Sequence, residues 1–190
     1  VATGNSGTIL TSSNGTTWTS RTSGISYNLN GVIYGNSTFV ATGNSGTILT
    51  SSNGTTWDNV TITHDNGTTT NYTTNNLNDI TYGNSTFVAT GNSGTILTSS
   101  DNGTSWDNGT SGTSNSLYGV TYANSTFVAT GDSGTILTSS DNGSTWTSRI
   151  FTYDNGTTTN YTTNSLNDIT YGNSTFVATG SSGTILTSSD

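Results

Sequence analysis

Three observations predict an all-β fold of tandem four-stranded antiparallel sheets, about 4.5–5 units in 190 residues. The run Gly-Thr-Ile-Leu-Thr-Ser-Ser recurs from Gly7, Gly46, Gly94 and Gly134, and again from Gly183 as far as Ser189. Each copy follows a Val-Ala-Thr-Gly block, at Val1, Val40, Val88, Val128 and Val177. Between these blocks the short apolar runs are β-branched or aromatic, separated by Gly, Asn and Ser, with no Pro and no helical periodicity. Self-similarity at a period of 20–50 residues belongs to propellers, solenoids and arrays.

One complete unit shows the elements in order. Leu29 to Tyr34 reads as a first strand, because Val32 and Tyr34 share a face at period 2. Gly35-Asn36-Ser37 reads as a turn, since Gly and Asn tolerate positive φ. Thr38 to Thr42 is a second strand, Gly43 to Gly46 a turn, and Thr47 to Ser51 a third strand. Asn53-Gly54 then predicts a tight hairpin turn into a fourth strand that starts at Thr55-Thr56-Trp57. The second and third strands are apolar on both faces: Phe39 and Ala41 against Val40, Ile48 against Leu49. A sheet with one wet face would alternate strictly. The sheets are therefore expected to stack face to face as β-propeller blades or a propeller-like array, burying Phe39, Ile48, Trp57 and their copies.

The units run 1–28, 29–76, 77–116, 117–165 and 166–190 as one repeat array. The Val-Ala-Thr-Gly blocks are 39, 48, 40 and 49 residues apart. The extra length lies in two matching connections, His64 to Thr74 and Tyr153 to Thr163, each expected to be a protruding hairpin that turns at Asp-Asn-Gly. The higher repeat is thus a pair of sheets, about 88 residues.

Composition excludes several classes. Hydrophobic residues at 27% would by themselves read as a disordered chain, but their fixed register in every copy argues for a fold. Net charge is −8, with two Arg and no Lys, so a nucleic-acid backbone finds no cluster of cations here. No apolar run is long enough to span a membrane. Without Cys there is no disulfide framework and no thiolate metal site. No metal, cofactor or catalytic residue is expected. Asp79 and Asp168, in equivalent first strands, are the best-placed carboxylate pair for glycoside chemistry, and read as solvated strand-end residues. His64 is replaced by Tyr153 in the sister connection and reads as a turn residue.

Two turns read Ser99-Ser100-Asp101-Asn102-Gly103-Thr104-Ser105-Trp106 and Ser139-Ser140-Asp141-Asn142-Gly143-Ser144-Thr145-Trp146. These resemble the Asp-box, Ser-x-Asp-x-Gly-x-Thr-Trp, of sialidase-type β-propellers and related repeat proteins. The copies ending at Trp18 and Trp57 are one residue shorter and lack the Asp. The resemblance implies a propeller in which Asp101, Gly103 and Trp106, like Asp141, Gly143 and Trp146, build a structural turn away from any active site. It also implies an arginine cluster with acidic and tyrosine catalytic groups. The chain has only Arg21 and Arg149 and no Glu, so sialidase activity is not expected. Physically, the Asp carboxylate can accept backbone N–H bonds within its own turn.

Asn-x-Ser/Thr occurs fourteen times. Asn36, Asn84, Asn124 and Asn173 occupy the same turn in four units and are the leading glycosylation candidates; Asn66, Asn155, Asn71 and Asn160 lie in the long connections. The expected function is a structural, extracellular or cell-surface β-repeat protein, part of a surface layer or filament and carrying glycans. The alternative is a lectin-like propeller module in which Tyr72 and Tyr161 stack on sugars. Residues 177–190 replay residues 1–14, so self-association through open strand edges is expected, either within a longer array or between protomers.

Overall fold

A computed structural model describes the chain except residues 61–63, 66–69, 72, 151–152, 155–158, 161 and 189–190; at 64–65, 70–71, 153–154 and 159–160 only the backbone is described. Five antiparallel sheets follow one another along the chain. The first has three strands, Ala2–Thr3, Ile9–Thr11 and Thr19–Arg21. The second has four: Leu29–Gly35, Thr38–Gly43, Ile48–Ser51 and Asp58–Asn59. The third (Leu77–Gly83, Thr86–Gly91, Ile96–Ser99, Asp107–Asn108) and the fourth (Leu117–Ala123, Thr126–Gly131, Ile136–Ser139, Thr147–Arg149) repeat this order. The fifth comprises Leu166–Gly172, Thr175–Gly180 and Ile185–Ser188. Each sheet is a meander in which consecutive strands pair. The long connections contain short antiparallel pairs, His64–Asp65 with Thr70–Asn71 and Tyr153–Asp154 with Thr159–Asn160; their turns lie outside the described residues. Among the described residues no helix is long and apolar enough to cross a membrane.

The sheets stack by one rule. Val40 and Ile48 of the second sheet pack on Leu77, Ile80, Phe87, Ala89, Leu97 and Trp106 of the third. Val88 and Ile96 of the third pack on Leu117, Val120, Phe127, Ala129, Leu137 and Trp146 of the fourth. Val128 and Ile136 of the fourth pack on Leu166, Ile169, Phe176, Ala178 and Leu186 of the fifth. One face of each sheet is thus a Val/Ile face and the other a Leu/Phe/Trp face, as the two-sided apolar pattern requires. The first strands of the second to fifth sheets lie side by side, and the fourth strands sit at the outer edge, the arrangement of propeller blades.

The burial expected of Phe39, Ile48, Trp57 and their copies holds in the interior and fails at the ends. Phe87 and Phe127 are buried, but Phe39 is half-exposed because the first sheet has no first strand to cover it. Trp18 is 47% exposed and Ile185 68%, since among the described residues no sheet packs on those outer faces of the first and fifth sheets. Two local readings also change. Residues 52–57 form a longer loop in place of a tight hairpin, because Asn53 Oδ1 accepts from the backbone N–H groups of Thr55 and Thr56. The fourth strand accordingly starts at Asp58, after Trp57. In the turn after the first strand, Asn36 and Ser37 take positive φ. Gly35 instead leaves room for a neighbour: a Cβ there would lie 2.3 Å from the ring of Tyr82.

Candidate functional site

The first strands of the second to fifth sheets lie side by side along one edge of the stack, and a bulge repeats there. Leu29 pairs with Gly43 and Gly31 with Thr42, so Asn30 is left over; Asn78, Tyr118 and Asn167 are left over in the same way. A bulge re-aims the extra side chain. Asn30 Nδ2 donates to the Leu77 carbonyl of the next sheet at 2.8 Å and to Asn44 Oδ1 at 3.0 Å. Asn78 does the same toward Leu117 and Asn92. A backbone carbonyl only accepts, so the atom facing it must be the amide nitrogen. Among the described residues neither Oδ1 atom has a hydrogen-bond donor, so both point away as acceptors. In the fourth sheet Tyr118 instead donates its hydroxyl to Asp132 Oδ1 at 2.9 Å, joined by Ser165 Oγ. That carboxylate pushes the Tyr118 pKa above the usual phenol range, with burial adding to it. The four bulge residues line one wide polar cleft of about 590 Å³.

Just below lie the two carboxylates singled out from the sequence. Asp168 is exposed, as a strand-end residue should be, but Asp79 is half-buried. Its oxygens accept from Ile80 N–H at 2.8 Å and from Val120 N–H of the next sheet at 2.9 Å. Burial pushes its pKa up to about 6 against the two hydrogen bonds, with Asp168 adding slightly. The matching positions in the second and fourth sheets are Gly31 and Gly119. A Cβ on Gly119 would lie 2.9 Å from the Asp168 Cα, so the Gly–Asp alternation lets neighbouring first strands approach. The two carboxylates stand on sheets separated by a third.

A raised carboxylate pKa means that the folded chain holds a proton the unfolded chain has lost. Stability from this group is complete below pH 4 and falls as pH rises toward 6, by about 3 kcal/mol at most. Melting temperature should therefore fall between pH 4 and pH 7, and Asp79→Asn should flatten part of that slope. Superimposable profiles for the two proteins would contradict the assignment.

The Asp-box-like turns are built from their own residues. Asp101 accepts from Ser99 Oγ, from the Ser105 N–H at 2.9 Å and from Ser105 Oγ; Ser99 Oγ accepts from the Gly103 N–H, and Trp106 Nε1 donates to the Gly103 carbonyl. Asp141, Ser139, Thr145, Gly143 and Trp146 repeat the pattern. Partial burial of Asp101 opposes ionisation, but the Ser105 and Ser99 bonds outweigh it and lower its pKa. At Asp141 the Thr145 hydroxyl leads, and the pKa drops to about 2.

The four equivalent sequons differ. Asn36 Nδ2 donates to Asn102 Oδ1 in the next sheet's turn, and Asn84 Nδ2 to Asn142 Oδ1. Nδ2 is the atom a glycan would occupy. Asn124 accepts from the Tyr171 hydroxyl through Oδ1. Asn173 is exposed and has no described hydrogen-bond partner through its side chain. Asn66, Asn155, Tyr72 and Tyr161 lie outside the described residues, as do the side chains of His64, Asn71 and Asn160. These Asn–Asn latches and the bulge residues went unrecognised in the sequence; the recurring Leu-Asn and Leu-Tyr starts of the first strands were the available signal.

No family model matches the chain, and no curated protein matches it. Solved structures do. The chain is similar to YCF48 bound to a D1 peptide, at 19% identity and a TM-score of 0.67 over 98% of this chain and 58% of that one. It is similar to the computationally designed Ika4 protein, at 12% identity and a TM-score of 0.60 over 85% of this chain and 90% of that one. It is similar to YCF48 from Cyanidioschyzon merolae, at 16% identity and a TM-score of 0.60 over 85% of this chain and 53% of that one. The chain thus spans little more than half the length of these YCF48 chains. At such identities the likeness speaks for the fold alone, a β-propeller-like array of tandem sheets.

Proposed function

We propose that this chain is a non-enzymatic structural repeat module that associates head to tail with further copies of itself. One observation carries the reading. Four successive interfaces join a Val/Ile face to a Leu/Phe/Trp face, the first of them Val1 and Ile9 on Leu29, Leu49 and Trp57, and the two ends of the stack carry one unmatched face of each kind. Leu10 and Trp18 stand on the first sheet where Leu97 and Trp106 stand on the third; Val177 and Ile185 stand on the fifth where Val88 and Ile96 do. The two exposed faces are therefore halves of an interface the chain already makes four times, and a head-to-tail contact of this kind adds copy to copy, closing into a ring only where its rotation allows. Copies at −8 each repel, so the association should strengthen with salt. Sedimentation velocity at physiological ionic strength should show mass rising with concentration, and Ile185→Asp should return the chain to a monomer. A wild-type chain that stays monomeric at millimolar concentration would sink the reading.

An extracellular, glycan-bearing setting belongs to the same proposal, with Asn173 as the sequon whose amide is available. Peptide mapping of native material that found Asn173 unmodified would remove the glycan from it.

A second reading, a lectin-like module, rests on the axial cleft. The oriented Oδ1 atoms of Asn30 and Asn78 are acceptors suited to neutral hydroxyl donors such as saccharides. Glycan-array binding lost in Asn78→Ala would favour it; an array without signal would remove it.

A further inference from the structure

The units repeat so closely that the telling positions are those where one unit departs from the rest. Three such positions meet where neighbouring sheets join beside the polar cleft. The first residue of the turn between the second and third strands is Asn5, Asn44 and Asn92 in the first three sheets, and Asp132 in the fourth. The bulge residue is Asn30, Asn78 and Asn167 in the other sheets, and Tyr118 in the fourth. The residue whose carbonyl accepts from the turn is Asn28 and then Asn76, but Ser116 and Ser165 in the last two sheets.

These departures act on one group. At the first two joints the Asn side chain accepts from the preceding sheet: Asn28 Oδ1 from the Ser6 N–H and Asn76 Oδ1 from the Ser45 N–H. At the joint of the fourth and fifth sheets the direction is reversed. Ser165 Oγ donates to Asp132 Oδ1 at 2.9 Å, and the Tyr118 hydroxyl donates to the same oxygen at 2.9 Å. The Ser116 side chain adds a hydrogen bond to Tyr118. Among the described residues Asp132 Oδ2 has no donor. The carboxylate is half-buried, next to two hydroxyls that line the cleft. The joint is interior, flanked by the first strands of both sheets.

Four of the residues lining the cleft have spent their protons. Asn30 and Asn78 commit both Nδ2 hydrogens, and Tyr118 and Ser165 give theirs to Asp132. What remains on these four is oxygen lone pairs. An ammonium group has three donors and no acceptor, so it complements such a wall more fully than a neutral hydroxyl, which brings a lone pair of its own. None of the residues lining the cleft is a cation, and a chain at −8 attracts positive ligands. A cleft of about 590 Å³ with polar walls suits a hydroxylated small molecule rather than a bare ion.

We propose that Tyr118, Asp132 and Ser165 form an ammonium subsite, and that the cleft takes an amino sugar, a protonated primary amine on a hydroxylated ring. The proposal rests on the lectin-like reading of the same cleft and narrows its ligand. The amine would sit against Asp132 and the two hydroxyl oxygens, with the ring hydroxyls on Asn30 and Asn78 Oδ1.

The test is calorimetric titration of the 190-residue chain at about pH 6, where a primary amine is protonated. The ligands are a glucosamine tetramer, its N-acetylated counterpart and a glucose tetramer of the same linkage. The glucosamine tetramer should bind at least about ten-fold more tightly than either neutral one, the scale of one charge-assisted hydrogen bond, and the preference should shrink as salt rises. Asp132→Asn should bring the glucosamine tetramer down to the level of the neutral tetramers. That variant installs the residue standing at Asn44 and Asn92, so the turn is kept. Equal binding of the three tetramers overturns the amine subsite and leaves the lectin-like reading standing; absence of binding by all three removes both. A preference that survives Asp132→Asn, or spermidine binding as tightly as the glucosamine tetramer, assigns the effect to the overall charge of the chain and overturns the proposal.

Discussion

Phe127→Ala is expected to destabilise the chain by about 3–5 kcal/mol, the range for deleting a large buried aromatic side chain. Phe127 is 1% exposed, stacked at 4.6 Å on Tyr122 within its own sheet, and packed on the Val/Ile face of the third sheet. Both neighbours are held by paired strands, so the cavity cannot collapse cheaply. That loss is a large share of the 5–15 kcal/mol that holds a typical domain together. The same change at Phe39 removes a half-exposed ring with no preceding first strand over it and should cost markedly less. Urea unfolding of the two variants checks both values. A cost below about 1 kcal/mol for Phe127→Ala, or equal costs at the two positions, would contradict the face assignment.

Gly94→Val should be comparably severe, on the order of 4 kcal/mol, through backbone rather than core. Gly94 sits at φ +69°, a conformation that costs an L-residue about 1–2 kcal/mol and a β-branched one more. A Cβ there would also lie 2.0 Å from the Thr113 carbonyl oxygen, in the segment that leads to the next sheet. Main chain yields less readily than a side chain, so overpacking adds about 1–3 kcal/mol. Gly112 separates the two causes. Its φ is +71°, yet nothing lies within 4 Å of a Cβ. Gly112→Val should therefore show the conformational cost alone. If thermal unfolding ranks the two variants together, the close approach of Gly94 to Thr113 is not the cause.

Much of the fold was legible because its signals are local. Period-2 alternation placed the first strands, and Asn-Ser and Gly turns separated them. The apolarity of Phe87 and Val88 on opposite faces requires the stacking. The loop after the third strand was misread because Asn53 suggests a two-residue hairpin turn, whereas its side chain caps a longer loop. Asp79 was misread as solvated because the bulge at Asn78 shifts the register by one. That shift turns the carboxylate toward Val120 of the next sheet, a partner 41 residues away. The Asn36–Asn102 and Asn84–Asn142 latches depend on how one sheet meets the next, and a strand pattern carries no such information.

The head-to-tail reading is tested most directly by mixing two crippled chains. Trp18→Asp spoils the Leu/Phe/Trp face of the first sheet, and Ile185→Asp spoils the Val/Ile face of the fifth. In a heterologous contact each variant keeps one intact half, so neither should associate alone. An equimolar mixture should form a dimer and stop there, because the dimer's two free ends are both spoiled. Sedimentation of the separate and mixed chains reads this out. Monomers apart and dimers together are the expected result; monomers in the mixture, or association of either variant alone, would contradict it.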